Sequence, residues 1–137
     1  MQGGREIAVA KDYPTVENMS RQLRETPMVL PGSKDAVVEA AKVRDYLLSH
    51  EHSIGRFKAA FFEALGYTVA DWARLQRDLL DLARNGDAAE GQSSPFGRKY
   101  EVRGSLEGPS GRRAEVVTIW VILVGETAPR FVTVFPG

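Results

Sequence analysis

From Phe57 to Leu82 apolar residues recur at the spacing of an α-helix, and beyond Gly97 they recur at every second position. The chain therefore divides into a helical half and a strand half. Phe57, Ala60, Phe61, Ala64 and Leu65 fall at i, i+3, i+4, i+7 and i+8, which predicts one stripe facing a core. Gly66 stops that helix, and Thr68, with Asp71 three positions on, opens the next, whose stripe is Trp72, Leu75, Leu79 and Leu82. Upstream, the turn "LPGSKD" leads into a helix over about residues 40 to 49. In the strand half, Tyr100, Val102 and Leu106 alternate with Lys99, Glu101 and Arg103, as in a strand with one buried and one wet face. "AEVVTIWVILVG" is apolar on both faces and β-branched, which predicts a central strand covered on each side, and "RFVTVF" predicts a short third strand. "RNGDAAEGQSSPFG" breaks both periods and reads as a long, mobile or functional loop. Near the start, "PTVENMSRQLRET" between Pro14 and Pro27 predicts a short helix capped by Thr15. The expected fold is α+β: N-terminal helices packed on a C-terminal antiparallel sheet of at least three strands. Residues 1–29 form an arm and residues 30–137 a single domain.

Composition narrows the chemistry. A chain of 137 residues, 43% hydrophobic and 26% charged, suits one globular domain that needs no disulfide or metal staple. Eighteen basic and eighteen acidic residues cancel, so any site for a polyanion must be a local arrangement of cations. The chain has no cysteine, hence no thiolate nucleophile and no cysteine-based zinc site, which suits a cytoplasmic location. It has no long apolar span, and its first residues do not resemble a secretory signal, so no membrane association is expected.

The chemistry-bearing residues gather in "SHEHSIGRFKAAFF", residues 49 to 62, which holds both histidines of the chain. Ser53 is a natural N-cap for the helix that follows. Gly55 in the first turn costs about 1 kcal/mol against alanine and implies a close approach of backbone. Arg56 and Lys58 lie off the apolar stripe near the positive end of a helix, where cations are unfavourable unless an anion binds. A phosphate site and a plainly capped helix with solvated cations both satisfy these residues. Two histidines two residues apart lack the i, i+4 spacing of a helical metal pair, and no paired carboxylates stand out, so no metal or other cofactor is expected.

Residues 30 to 136 resemble a family of small bacterial domains. The shared pattern runs through K-x-x-x-Y-L-L, H-P-x-G-R-x-K-A-x-F, a G-x-x-Y strand, G-x-x-G-R, V-x-x-x-W and P-R-x-V-T-x-x-P. This chain departs from it at Ser53, where the family usually has proline, and at Thr133, Val134 and Phe135, where it often has T-A-Y. Members resemble modules found in bacterial toxin and phage-associated proteins, and their layout looks like the small metal-independent ribonucleases of the barnase, EndoU and RelE type. The resemblance implies RNA cleavage by attack of the 2′-hydroxyl, with His52 and Lys58 as catalytic residues. It implies Arg56, Arg113, Arg130, Thr133 and Tyr100 as groups that meet the RNA phosphate. Its partners would be RNA and a cognate antitoxin or immunity protein. Each sheet residue also has a structural reading: Tyr100 shares a strand face with Val102, Arg113 follows a glycine turn, and Arg130 and Thr133 should lie on opposite faces of the last strand. The alternative function is a non-catalytic binding module, an accessory or neutralising partner of a neighbouring protein, with the arm as a docking element.

Overall fold

The computed structural model of the protein describes residues 28–137 apart from Ile54 and the side chain of Phe57. The helix expected in "PTVENMSRQLRET", with its Thr15 cap, lies outside the described residues. Among the described residues a 3-10 turn (Ser33–Asp35) and three longer helical segments precede a sheet, as an α+β domain requires: α1 (Ala40–Lys42, continued by a π-helical turn over Val43–Leu47), α2 (Gly55–Ala64) and α3 (Trp72–Asn85). The sheet is an antiparallel meander in the order β1 (Asp87–Ser94), β2 (Gly97–Glu107), β3 (Arg113–Leu123), β4 (Arg130–Pro136).

Strand β1 corrects the expected long loop. Its residues are small or polar and only Ala88 is buried, so no alternation of large apolar side chains marks it. What makes it a strand is its ladder to β2, from Asp87 opposite Arg103 to Ser94 opposite Gly97. The two-residue turn at Pro95 and Phe96 then closes a hairpin.

The helices cover one face of the sheet, so Val116, Thr118, Trp120 and Ile122 of β3 are buried while Val117, Ile119, Val121 and Leu123 on the other face are only half-buried. The expectation that β3 would be covered on both sides is therefore not met. Its second apolar face is flanked by β2 and β4 but carries no helix layer among the described residues. Across the covered face Tyr100 stands opposite Trp120 and Val102 opposite Thr118. The Trp120 indole donates to Thr118 Oγ1 at 2.8 Å, and that hydroxyl donates to the Val102 carbonyl at 2.9 Å, so the buried polar atoms are satisfied.

Two phases of the pattern shift. In α2 the buried positions are Gly55, Ala59 and Phe62, continued by Leu65 just past its end, whereas Ala60 and Ala64 are exposed and Phe61 is partly buried. Consecutive phenylalanines at 61 and 62 satisfy either phase, and Gly55 decides it: a β-carbon there would lie 1.8 Å from the Tyr46 carbonyl oxygen. The close backbone approach expected at Gly55 is thus the contact between α2 and the π-helical turn. In β4 a bulge inserts Val132 between the pairs Trp120–Phe131 and Ile119–Thr133. The extra residue reverses the alternation, which buries Phe131 and Val134 together and pairs Arg130 and Thr133 with residues of the same β3 face, Val121 and Ile119. The expectation of opposite faces fails for that reason.

Tyr67, just past α2, is buried and donates to Asp78 Oδ2 at 2.7 Å, and Arg74 Nε reaches the same oxygen at 3.2 Å. Burial, with the adjacent carboxylate second, pushes the hydroxyl well above the ordinary phenol range. Because the folded value exceeds the unfolded one of 10.0, this contribution to stability is complete below pH 10.0 and fades as pH rises beyond it. Tyr67→Phe should lower unfolding free energy by about 1–2 kcal/mol in urea melts. Unchanged stability would show that the bond contributes nothing.

Candidate functional site

Strand β4 is an edge of the sheet, and an unpaired edge exposes a row of carbonyl and amide groups. Here the edge is occupied along its length by the helical half. At its start Val37 forms a parallel bridge with Arg130: the Val37 amide donates to the Pro129 carbonyl at 2.9 Å and the Phe131 amide to the Val37 carbonyl at 2.9 Å. Next, Lys42 Nζ donates to the Val132 carbonyl at 3.2 Å. Tyr46 Oη and Thr133 Oγ1 then share a hydrogen bond of 3.1 Å, and Lys58 Nζ donates to the Val134 carbonyl at 2.7 Å. The Lys58 ammonium also stands 4.3 Å from the centroid of the Phe135 ring, within the range of a cation–π contact.

His52 joins this row through Tyr46, whose ring it meets edge-on at 4.9 Å between centroids. Its Nδ1 accepts a hydrogen bond from the Gly55 amide at 3.0 Å, and its carbonyl accepts from the Arg56 amide at 3.0 Å. These are the bonds of a helix N-cap, so His52 rather than the expected Ser53 caps α2. A ring nitrogen that accepts carries no proton, which leaves Nε2 as the N–H of the neutral imidazole. The geometry follows from the sequence: the π-turn brings Tyr46 beneath the start of α2, and only glycine at 55 lets the two backbones touch.

The structure thus brings together His52, Lys58 and Thr133 from the residues expected on sequence grounds, and adds Tyr46 and Lys42. Those two are the lysine and tyrosine of the K-x-x-x-Y-L-L element, the signal that could have placed them. Arg56 is exposed in the first turn of α2, where its amide donates to the His52 carbonyl. Of the other sheet residues, Tyr100 stands corrected, and Arg113 and Arg130 are engaged in ion pairs. Tyr100 is a core residue, 2% exposed, because its face of β2 lies under the helices. Arg113 pairs with Glu107 at 2.8 Å in the β2–β3 hairpin, and that hairpin packs on the C-terminal end of α2 through Ser110 and the Leu65 carbonyl. His52 caps the opposite end of a ten-residue helix, about 15 Å away by the helical rise. Arg130 is answered by two carboxylates, Glu126 at 3.1 Å and Glu39 at 3.9 Å, and the Glu126 bond is the main cause of its raised pKa. His50 pairs with Glu63 at 2.6 Å on the exposed side of α2.

Beside Lys58 lies a cleft of about 200 Å³ bounded by Phe61, Phe62, Val134, Phe135 and Pro136. No cluster of three or more histidine or carboxylate ligands able to hold a metal occurs among the described residues.

A helical layer on one face of a four-stranded antiparallel meander makes this a small α+β domain. Residues 29–137 match the model of the family described as "Domain of unknown function (DUF6883)", and the chain belongs to that family. A chain of a solved structure, "Contact-dependent growth inhibition toxin - immunity protein complex from Klebsiella pneumoniae 342", is similar with a TM-score of 0.58 and 18% sequence identity. The similarity covers 77% of this chain and 96% of that one, and at this identity it is a likeness of fold. None of the curated proteins matches. No helix among the described residues is long and apolar enough to cross a membrane.

Proposed function

We propose that this domain is a metal-independent ribonuclease of toxin-like role, cleaving RNA by attack of a 2′-hydroxyl on the adjacent phosphorus at the β4 edge. The observation that carries the reading is the convergence of two ammonium groups and a phenol on three consecutive residues of one strand, Val132, Thr133 and Val134, with the His52 imidazole in contact with the phenol ring. Cleavage breaks the P–O5′ bond as the P–O2′ bond forms, so one proton leaves the 2′-oxygen and one arrives on the 5′-oxygen. His52 and Tyr46, in ring contact, are the two proton carriers, and Thr133 orients the phenol. Lys58 and Lys42 each hold one carbonyl and keep further N–H bonds for a phosphate oxygen; Arg56 supplies a third cation from the helix start. A toxin-like setting is supported by the fold likeness to a toxin–immunity complex.

Purified protein incubated with RNA in the presence of a metal chelator should leave ends bearing 2′,3′-cyclic phosphate and 5′-hydroxyl. RNA left intact would overturn the reading. A second reading, a binding module for a cognate protein partner, is favoured by one observation: the half-buried apolar stripe of Val117, Ile119, Val121 and Leu123 on the face of β3 away from the helices.

A further inference from the structure

The cleft beside Lys58 is unlike two other hollows among the described residues. One of those is lined by Asp78, Asp81 and Glu107, which repel an anion, and the other by both Arg98 and Glu126, whose charges offset, with no aromatic ring in its wall. The Lys58 cleft has no acidic residue, three aromatic rings in its wall, and one ammonium at its rim. Phe62 forms its floor from the core, Phe61 a partly buried side, and Phe135 an exposed wall, 48% accessible, over which the ammonium is already stacked. An apolar slot next to a fixed cation is complementary to a ligand with a flat uncharged ring and a phosphate a few bonds away. At about 200 Å³ the slot falls below the ~300–1,000 Å³ of sites that enclose a drug-sized ligand, and takes a single ring.

We infer that this cleft is a nucleobase subsite: it holds the base of a nucleotide against Phe135 and Phe61 while Lys58 takes the phosphate joined to that nucleotide. The inference rests on the ribonuclease reading for its setting, because Lys58 belongs to both. Stacking on an aromatic wall accepts any base and ranks bases by their stacking strength, so purines bind more tightly than pyrimidines. Lys58 is the one lining residue with a polar side chain, so no other side chain of the slot reads a base edge.

The test is calorimetric titration of the intact protein with adenosine 3′-monophosphate, ribose 5-phosphate and inorganic phosphate, repeated on Phe135→Ala and Phe135→Leu. Adenosine 3′-monophosphate should bind the wild type at least about tenfold more tightly than ribose 5-phosphate. Phe135→Ala should erase that difference and leave the weak phosphate affinity in place. Phe135→Leu, which preserves volume on the edge strand, should erase most of it while keeping the unfolding midpoint. Equal affinities for the nucleotide and the sugar phosphate, or an unaltered preference in Phe135→Ala, would overturn the subsite. If the nucleotide preference is present and lost in Phe135→Ala while RNA stays uncleaved, the subsite stands and the ribonuclease reading alone falls.

Discussion

His52→Asn is expected to lower the rate of RNA cleavage about 100- to 10,000-fold, the range for loss of a positioned proton carrier, while unfolding free energy stays within about 0.5 kcal/mol of the wild type. Asparagine can accept the Gly55 amide as His52 Nδ1 does, since asparagine is among the strongest N-caps, but it carries no titrating ring. His52→Ala, by contrast, should lose the cap as well, at a cost of about 0.5–2 kcal/mol. The pair of variants separates two roles that one side chain combines. Cleavage by His52→Asn at the wild-type rate would reduce His52 to a cap, and unchanged stability of His52→Ala would remove the cap itself. The same reasoning applies to Lys58: its ammonium closes the β4 edge, so Lys58→Ala changes stability as well as charge, and Lys58→Arg is the cleaner probe of charge.

The largest loss of stability is expected from Trp120→Ala, about 3–5 kcal/mol in urea titration, a large part of the roughly 5–15 kcal/mol that holds a small domain together. Trp120 is fully buried at the centre of the sheet, meets Phe131 edge-on at 5.4 Å, and anchors the Thr118 hydroxyl. Trp120→Phe keeps most of the ring contact and gives up the indole bond, so it should cost about 1–2 kcal/mol, since Thr118 retains the Val102 carbonyl. A loss below about 1 kcal/mol for the alanine variant would mean that the core is not organised around this residue.

How far the sequence could be read depended on which force fixed each element. Burial writes a period, so α3 with Leu75, Leu79 and Leu82, and the strands around Tyr100, Val102 and Trp120, were visible. Strand β1 was not, because a ladder to β2 holds it while its side chains stay in water. The bulge at Val132 left no mark in composition, and with it went the placement of Arg130 and Thr133. His52 and Lys58 were legible as polar residues at a helix start, but their bonds were not: a ring nitrogen capping α2 and an ammonium on the Val134 carbonyl depend on how distant segments meet. Lys42 and Tyr46 were not legible as site residues because Lys42 borders, and Tyr46 lies within, a π-turn that carries the tyrosine toward β4. The basic residues of the β2–β3 hairpin attracted notice by type alone, and Arg113 proved to sit with Glu107 at the far end of α2.

The chain has two histidines, one on each side of the distinction that matters: His52 in the β4-edge row and His50 paired with Glu63. The most direct measurement follows the two imidazole Cε1–H signals by NMR while a 2′-deoxy oligonucleotide, which binds but cannot be cleaved by its own 2′-oxygen, is titrated in. The account predicts that the His52 signal shifts and saturates, together with the Tyr46 ring, while that of His50 stays in place. A shift confined to His50, or no shift in either, would contradict the claim that RNA meets this edge of the sheet.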